Sequence, residues 1–368
     1  MSKSYITSVG IATPEIRISQ SQVASLMTET LEMEEMESIR LSALYRATGI
    51  QHRYTVMEDY SRENGDFEFF PNTAGMEPFP TIGPRMRLYE KFALKLALKA
   101  IADCLNPMDI DLKKITHVIT VSCTGLYAPG LDIELVEKLK LDPSAQRTCI
   151  NFMGCYAAFN ALKVADWACK ANENAKVLIV CVELCSLHFL KNKNPDQMIS
   201  NALFGDGAAA VLIEGKKQDE GNSLSMESFY CSLALDGKND MAWHITDHGF
   251  EMTLSSYVPE LIKGGIKNLT DKLLKNINME LSSIDYFAIH PGGKRILEAI
   301  ENELGLSKHD NRYAYDVLKH YGNMSSPTVL FVLQSIFKEL KEADRGKNIL
   351  SFAFGPGLTL ESMLLKVC

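Results

Sequence analysis

The stretch Ile150-Asn151-Phe152-Met153-Gly154-Cys155-Tyr156-Ala157-Ala158-Phe159-Asn160-Ala161-Leu162 decides how this chain is read. An apolar, strand-like approach ends at Gly154. The run after it carries Phe159, Leu162, Val164 and Ala165 at helical spacing. Strand, sharp turn and helix make the unit of an α/β fold. Gly154 permits the turn, because a residue without Cβ enters conformations closed to the others. Cys155 then lies at or near a helix N-terminus, where unpaired N–H groups and the helix dipole favour an anion. A thiol in that seat is a candidate nucleophile.

The rest of the chain supports the same architecture. Upstream, residues 18–45 read as helical and polar-faced, and 57–85 as a Pro/Gly-bearing surface connection. A helix over 86–104 leads to a strand over 116–122 and the turn Cys123-Thr124-Gly125. A helix over 131–140 precedes the Cys155 elbow. Downstream come a buried strand over 176–182, the turn Phe204-Gly205-Asp206-Gly207 and a strand over 208–214. The polar stretch 216–223 marks a boundary, giving halves 1–215 and 216–368. In the second half a helix over 256–277 precedes the strand 286–290 and Pro291-Gly292-Gly293. Helices over 294–303 and after the 322–327 turn lead to the strand 348–354, Gly355-Pro356-Gly357 and a last strand. Helix, strand and glycine turn recur in the same order, which predicts a duplicated α/β unit with functional residues at strand ends.

Composition narrows the function. With 38 basic against 46 acidic residues the net charge is −8, which argues against a general binder of nucleic acid or anionic membrane. No apolar run reaches the ~18 residues of a membrane span. The opening Met1-Ser2-Lys3-Ser4-Tyr5-Ile6 lacks the apolar core of a secretory signal, so a cytoplasmic location is expected. Nine cysteines, an odd number without a Cys-x-x-Cys pair, support neither a disulfide framework nor structural zinc. No metal is expected elsewhere. His244 and His248 lie four apart, but Trp243, Ile245 and Asp247 alternate like a strand, and no acidic ligands accompany them.

Cys155 needs a partner. An unperturbed thiol with a pKa of about 8.5 is only a few per cent thiolate at neutral pH. Making it mostly thiolate takes a shift of roughly 2 units, or about 2.7 kcal/mol, whereas a helix N-terminus supplies typically ~0.3–1 kcal/mol. An adjacent imidazolium closes that gap. His290 ends an apolar strand just before Pro-Gly-Gly, and Asn323 lies in a glycine-flanked turn before an apolar helix. Taken singly, each of these residues has an ordinary structural explanation. Their occurrence together, each at a strand or helix end, points to one site.

Five segments in order resemble the signatures of the type III polyketide synthases, the chalcone/stilbene synthase superfamily. They are Met153-Gly154-Cys155-Tyr156-Ala157-Ala158, Leu203-Phe204-Gly205-Asp206-Gly207-Ala208-Ala209-Ala210, Ile289-His290-Pro291-Gly292-Gly293, Gly322-Asn323-Met324-Ser325-Ser326 and Phe354-Gly355-Pro356-Gly357. The resemblance spans essentially the whole chain. It implies a thiolase-like fold in αβαβα layers and a homodimer acting directly on acyl-CoA and malonyl-CoA, with no other cofactor. It implies Cys155 as the acyl-accepting nucleophile, and His290 and Asn323 as hydrogen-bond donors to the thioester oxygen and to the enolate formed when malonyl-CoA loses CO₂. Phe204 would be the aromatic gatekeeper, and Gly355-Pro356-Gly357 a scaffold turn near the nucleophile.

The chain departs from the plant members at pocket positions. The second gatekeeper falls on Met252, beside Leu254. The residue that crosses the dimer interface in plant enzymes falls on Ala128, near Cys123 and Thr124. A threonine pair becomes Cys185 and His188, Trp243 stands where glycine is usual, and Ser325 completes the expected pocket. His188 reads as pocket lining and not as a second base. Of the basic residues that grip CoA phosphates, Arg40 is retained, Ala43 and Ala47 replace two others, and Arg46 or Arg53 would compensate. These changes resemble microbial members, many of which take fatty acyl starters. The leading expectation is therefore synthesis of an alkylpyrone, alkylresorcinol or related phenolic. An initiating ketoacyl synthase, a hydroxymethylglutaryl-CoA synthase-like enzyme and a catalytically inactive acyl-binding dimer are the rival readings.

Overall fold

The computed structural model describes residues 3–63, 65–106, 108, 110–218, 221–255 and 257–368. The first half contains β1 (Tyr5–Ala12), β2 (Ile16–Ser19), α1 (Gln20–Thr30), α2 (Glu35–Ala47), β3 (His52–Thr55) and α3 (Ile82–Leu105). It continues with β4 (His117–Ser122), α4 (Leu131–Leu139), β5 (Gln146–Asn151), α5 (Ala157–Ala171), β6 (Lys176–Leu184), α6 (Pro195–Leu203) and β7 (Asp206–Glu214). The second half contains β8 (Leu224–Leu233), β9 (Met241–Thr246), β10 (Gly249–Leu254), α7 (Val258–Lys275), β11 (Tyr286–Ile289) and α8 (Lys294–Leu304). It ends with α9 (Arg312–Tyr321), α10 (Thr328–Glu339), β12 (Asn348–Gly355) and β13 (Thr359–Val367).

Strand pairing makes the duplication explicit. In the first half β4 runs parallel to β6, β6 antiparallel to β7, and β7 antiparallel to β1. In the second, β11 runs parallel to β12, β12 antiparallel to β13, and β13 antiparallel to β8. The first half adds β5, parallel to β4, at its edge. The halves meet through β1 and β8, where Tyr5 faces Ser225 and Ile6 faces Leu224.

Both faces of the central strands are covered, so these strands are apolar throughout instead of alternating with polar residues. Along β6, Val177, Ile179 and Cys181 enter one core with α5, while Leu178, Val180 and Val182 enter the other with α3. Helix α3 packs on β1, β6 and β7 from outside, and α7 packs on β8, β13 and α8. Helix α5 touches β4–β7 and also β13, and α10 touches β1, β7 and β11. Two helices that each contact strands of both halves must lie between them, which gives the αβαβα layering of a thiolase-like fold.

Several boundaries differ from the sequence reading. The 18–45 segment is not one helical unit: β2 pairs with β3, and only then does Ser19 cap α1 in a capping box with Gln22. Glu32, at a φ of 48°, separates α1 from α2. Helix α3 begins at Ile82, inside the stretch read as loop, and α6 and α9 were not anticipated. The 216–223 boundary falls between β7 and β8, with Asp219 and Glu220 outside the described residues. The start of the 256–277 helix is likewise partly outside them, at Ser256. Among the described residues no helix is long and apolar enough to cross a membrane.

Parallel strands deliver their C-terminal ends to one place. Cys123 follows β4, Cys185 follows β6, His290 follows β11, and Pro356 follows β12. The Cys155 turn follows β5. All five residues line one cavity, at the carboxyl ends of the strands where α/β sheets hold their ligands.

Candidate active site

Cys155 occupies a single 3-10 turn, Gly154–Tyr156, immediately before α5. Gly154 has a φ of 75°, and a Cβ on it would lie 2.4 Å from Pro356 Cδ. A Cβ on Gly355 would lie 2.5 Å from the Tyr156 ring. The Gly355-Pro356-Gly357 turn therefore packs directly against the nucleophile turn.

His290 is anchored by its backbone, whose N–H donates to Phe352 O at 2.8 Å. Its ring is 1% exposed, and neither ring nitrogen has a hydrogen-bond partner. Asn323 is held much more tightly. Its Oδ1 accepts from Ser325 N–H at 2.8 Å and from Thr328 Oγ1 at 3.4 Å, which fixes the amide orientation. Nδ2 then donates to Gly292 O at 3.3 Å and lies 4.0 Å from Cys155 Sγ.

The electrostatics differ from the sequence argument. Cys155 is 7% exposed, and burial pushes its thiol up to about 12, while hydrogen bonding by Ser325 and Asn323 pulls the other way. Burial alone takes the His290 imidazole down to about 3. A dry cavity disfavours both charged forms, so the resting pair is a neutral thiol and a neutral imidazole, not the thiolate–imidazolium pair expected from sequence.

The cavity walls are apolar. The β9–β10 hairpin pairs Trp243 with Met252 and Met241 with Leu254, so all four side chains share one face, and all four line the cavity. Trp243 Nε1 donates to Cys123 O at 2.8 Å, pinning the hairpin to the end of β4. Phe204, Cys123, Cys185 and Ser325 complete the expected lining. Met241, Ile296 and Phe354 also line it and were not anticipated. The period-2 spacing of Met241 with Trp243 was an available signal for the first of them.

Three expected pocket residues lie elsewhere. Thr124 is buried behind the wall, donating from Oγ1 to Glu183 at 2.7 Å. Ala128 belongs to a separate surface depression shared with Cys149 and Asn151 of β5. His188 sits behind Trp243, stacked on Phe250 with ring centroids 4.1 Å apart. Its Nε2 meets Thr124 O at 2.7 Å, and its Nδ1 accepts from Phe250 N–H at 3.0 Å. The sequence analysis also assigned no role to Glu183, a fully buried carboxylate that gathers donors from Cys123 N–H, Thr124 and Ser326. A lone acid within the apolar run Val182-Glu183-Leu184 was its signal.

The CoA candidates separate. Arg40 and Arg46 are exposed on α2. Arg53 is not available to a phosphate at the surface: it is 3% exposed, and its Nη1 donates to Asn201 O at 2.8 Å and to Phe204 O. The expectation fails because Arg53 is drawn inward to the carbonyls that end α6. His244 and His248 are exposed on the hairpin, and among the described residues no group of three metal-ligating side chains occurs.

Comparison with known proteins agrees with this geometry. Residues 1–217 match the N-terminal domain of chalcone and stilbene synthases, and residues 228–368 match the C-terminal domain. An α-pyrone synthesis polyketide synthase-like protein of Mycobacterium tuberculosis is 32% identical, over 98% of this chain and 91% of the relative. A probable polyketide synthase of Dictyostelium discoideum is 30% identical over 99% of this chain but only 11% of its own length. The crystal structure of a polyketide synthase from the brown alga Ectocarpus siliculosus superposes with a TM-score of 0.91 at 29% identity, covering 100% of this chain and 99% of that one. The C-terminal type III polyketide synthase domain of the Dictyostelium hybrid Steely1 gives 0.90, also at 29% identity and covering 99% of each chain. With both domain families matched in order across the duplicated fold, the chain belongs to the chalcone and stilbene synthase family, the type III polyketide synthases, and is a condensing acyltransferase.

Proposed function

We propose that Cys155 carries the acyl chain and that His290 and Asn323 serve both loading and extension. The observation that carries this reading is the pair of unpartnered His290 ring nitrogens in the same buried cavity as Cys155 and the fixed Nδ2 of Asn323. A buried imidazole with two free nitrogens can take a proton at one and donate from the other. In loading, Cys155 Sγ attacks the carbonyl carbon of an acyl-CoA as its proton passes to His290. The CoA thiolate leaves, taking that proton, and Cys155 becomes a thioester. In extension, the malonyl thioester oxygen accepts hydrogen bonds from His290 and Asn323. The C–C bond to the carboxylate breaks, CO₂ departs, and its electrons form an enolate held by the two donors. The enolate carbon attacks the Cys155 thioester, and Cys155 leaves as thiolate while the lengthened chain stays on CoA. Pre-aimed donors in a water-poor cavity stabilise that developing charge far better than water does.

The wall of Met241, Trp243, Met252, Leu254 and Ile296 supports an apolar, fatty acyl starter, and the mycobacterial relative supports a pyrone product. Arg40 and Arg46 on α2 are read as the CoA contacts, the assembly as a homodimer with Ala128 near the partner's cavity, and the location as cytoplasmic. The test is to incubate the purified protein with [14C]malonyl-CoA and acyl-CoA starters from C2 to C20, then identify the products by mass spectrometry. Pyrones or resorcinols from the longer starters support the reading. Polyketide formation by Cys155→Ala would refute the nucleophile assignment.

A further inference from the structure

A second chamber lies directly behind the catalytic cavity. Cys185, Phe204, Trp243 and Met252 line both spaces and form the partition. Beyond it the lining turns polar, with Arg53, Ser200, Gln197 and His188 facing the chamber. Two of these are occupied. His188 uses both ring nitrogens as described, and Gln197 donates to Met252 O at 2.9 Å.

Arg53 and Ser200 are not satisfied. Ser200 Oγ is buried without a partner, and so are Nε and Nη2 of Arg53. Among the described residues no carboxylate comes within ion-pair distance of this guanidinium. Asp206, the acid nearest in charge, already accepts from Val56 N–H at 2.8 Å and from Ser186 N–H at 2.7 Å. It accepts from Ser186 Oγ as well, at 2.6 Å. The Tyr45 hydroxyl lies by the guanidinium but outside the chamber lining. Capping α6 uses Nη1 alone and leaves the other edge of the fork open. Nε and Nη2 are the side-on pair that grips two oxygens at once. Folded proteins rarely leave such a buried cation incomplete unless a ligand completes it.

We propose that this chamber is a subsite for the growing polyketide, in which Arg53 and Ser200 hold the two oxygens of an enolised 1,3-dicarbonyl at the far end of the chain. The inference rests on the polyketide-forming reading above. Each malonyl extension adds a carbonyl two carbons from the last. The C–H between two such carbonyls gives up its proton to water, and the negative charge spreads over two oxygens. Their spacing resembles that of a carboxylate, which the side-on fork fits. A chain anchored at Cys155 would pass the partition beside Cys185, leaving its thioester end between His290 and Asn323.

The same fork would accept a starter that ends in a carboxylate, and the test separates the two sources. Acylation of Cys155 is measured with hexanoyl-CoA, 3,5-dioxohexanoyl-CoA and adipoyl-CoA, in wild type, Ser200→Ala and Arg53→Lys. In wild type the dioxo starter is expected to exceed hexanoyl in kcat/KM by roughly tenfold, the worth of one charge-assisted hydrogen bond. That ratio should drop several-fold in Ser200→Ala and approach one in Arg53→Lys, which keeps the charge but loses the fork. Equal wild-type rates, or a ratio unchanged in the variants, would overturn the proposal. Preference for adipoyl over dioxohexanoyl would overturn it in favour of a carboxylate-ended starter. If Arg53→Lys fails to fold, Ser200→Ala decides alone, since it removes only an unpaired hydroxyl. Hexanoyl transfer to wild-type Cys155 shows separately that the polyketide reading stands.

Discussion

Phe204 and Asn323 are joined through their main chains. Gly205 N–H donates to Asn323 O at 2.9 Å, and Asn323 N–H donates to Leu203 O at 2.9 Å. The aromatic wall and the amide that faces Cys155 therefore move as one unit, although 118 positions separate them in sequence. Arg53 reinforces the link, passing so close to Gly322 that a Cβ there would lie 2.9 Å from its Cγ. Gly322, at a φ of 70°, could not be another residue without shifting this strut.

Asn323→Ala is expected to leave acyl transfer to Cys155 largely intact while CO₂ release from malonyl-CoA falls on the order of 10²–10³-fold. Mass spectrometry of the loaded protein and a radiometric CO₂ assay separate the two steps. Equal loss of both would mean that Asn323 supports the scaffold and not the enolate.

Carbamidomethylation of Cys155 should accelerate about tenfold per pH unit from pH 7 to 10 without levelling, because only the thiolate reacts and the thiol is pushed up to about 12. Peptide mapping identifies the labelled cysteine. A plateau below pH 8 would show that the thiolate exists before substrate binds.

His290 makes acid destabilising. In the unfolded chain an imidazole protonates near 6.5, but folded His290 resists until about 3. Unfolding thus takes up a proton between those values, and the stability this group confers is full above pH 6.5 and declines as pH falls toward 3. His188 acts in the same sense, whereas Asp206, pushed up to about 6, acts in the opposite one. The difference between wild type and His290→Gln isolates the single group. Its pH slope should be up to about 1.4 kcal/mol per unit, measured by urea unfolding from pH 6.5 to 4.5. Parallel curves would contradict a neutral buried imidazole.

Gly154→Ala combines a positive φ with a collision against Pro356. A loss of roughly 2–4 kcal/mol is expected, from strain at φ > 0 and overpacking together. Thermal melts should show Pro356→Ala recovering part of it, and no recovery would place the cost in the backbone alone.

Trp243→Gly removes both a wall of the partition and the bond to Cys123 O. Relative kcat/KM for C16–C20 starters over C6–C8 should rise by roughly tenfold or more, the scale on which apolar pockets discriminate chain length. Unchanged starter preference would put the limit elsewhere in the cavity.

The sequence made the strand ends legible because buried parallel strands are apolar runs and the turns after them carry glycine. Cys155, His290 and Asn323 stood out for that reason. Helix α6 was missed although Asn194 caps it and Pro195 starts it, a pairing readable in sequence. Arg53 could not have been placed: its fate depends on Gly205 and Gly322, glycines more than 150 positions away that leave room for it. The neutral state of the Cys155–His290 pair was illegible too, since dryness belongs to the assembled cavity and not to any segment of the chain.

The matching order of strands in the two halves carries one more consequence. Cys123 and His290 each follow the equivalent strand, β4 or β11, while Cys155 and Asn323 each precede the equivalent sandwiched helix, α5 or α10. The cavity therefore straddles a pseudo-twofold axis, with two symmetry-related pairs of positions on its wall. A tandem duplication would create such a site with the same residues on both sides. Nucleophile, proton carrier and oxyanion donor became distinct when those pairs diverged, so the chemistry of this enzyme is a broken symmetry.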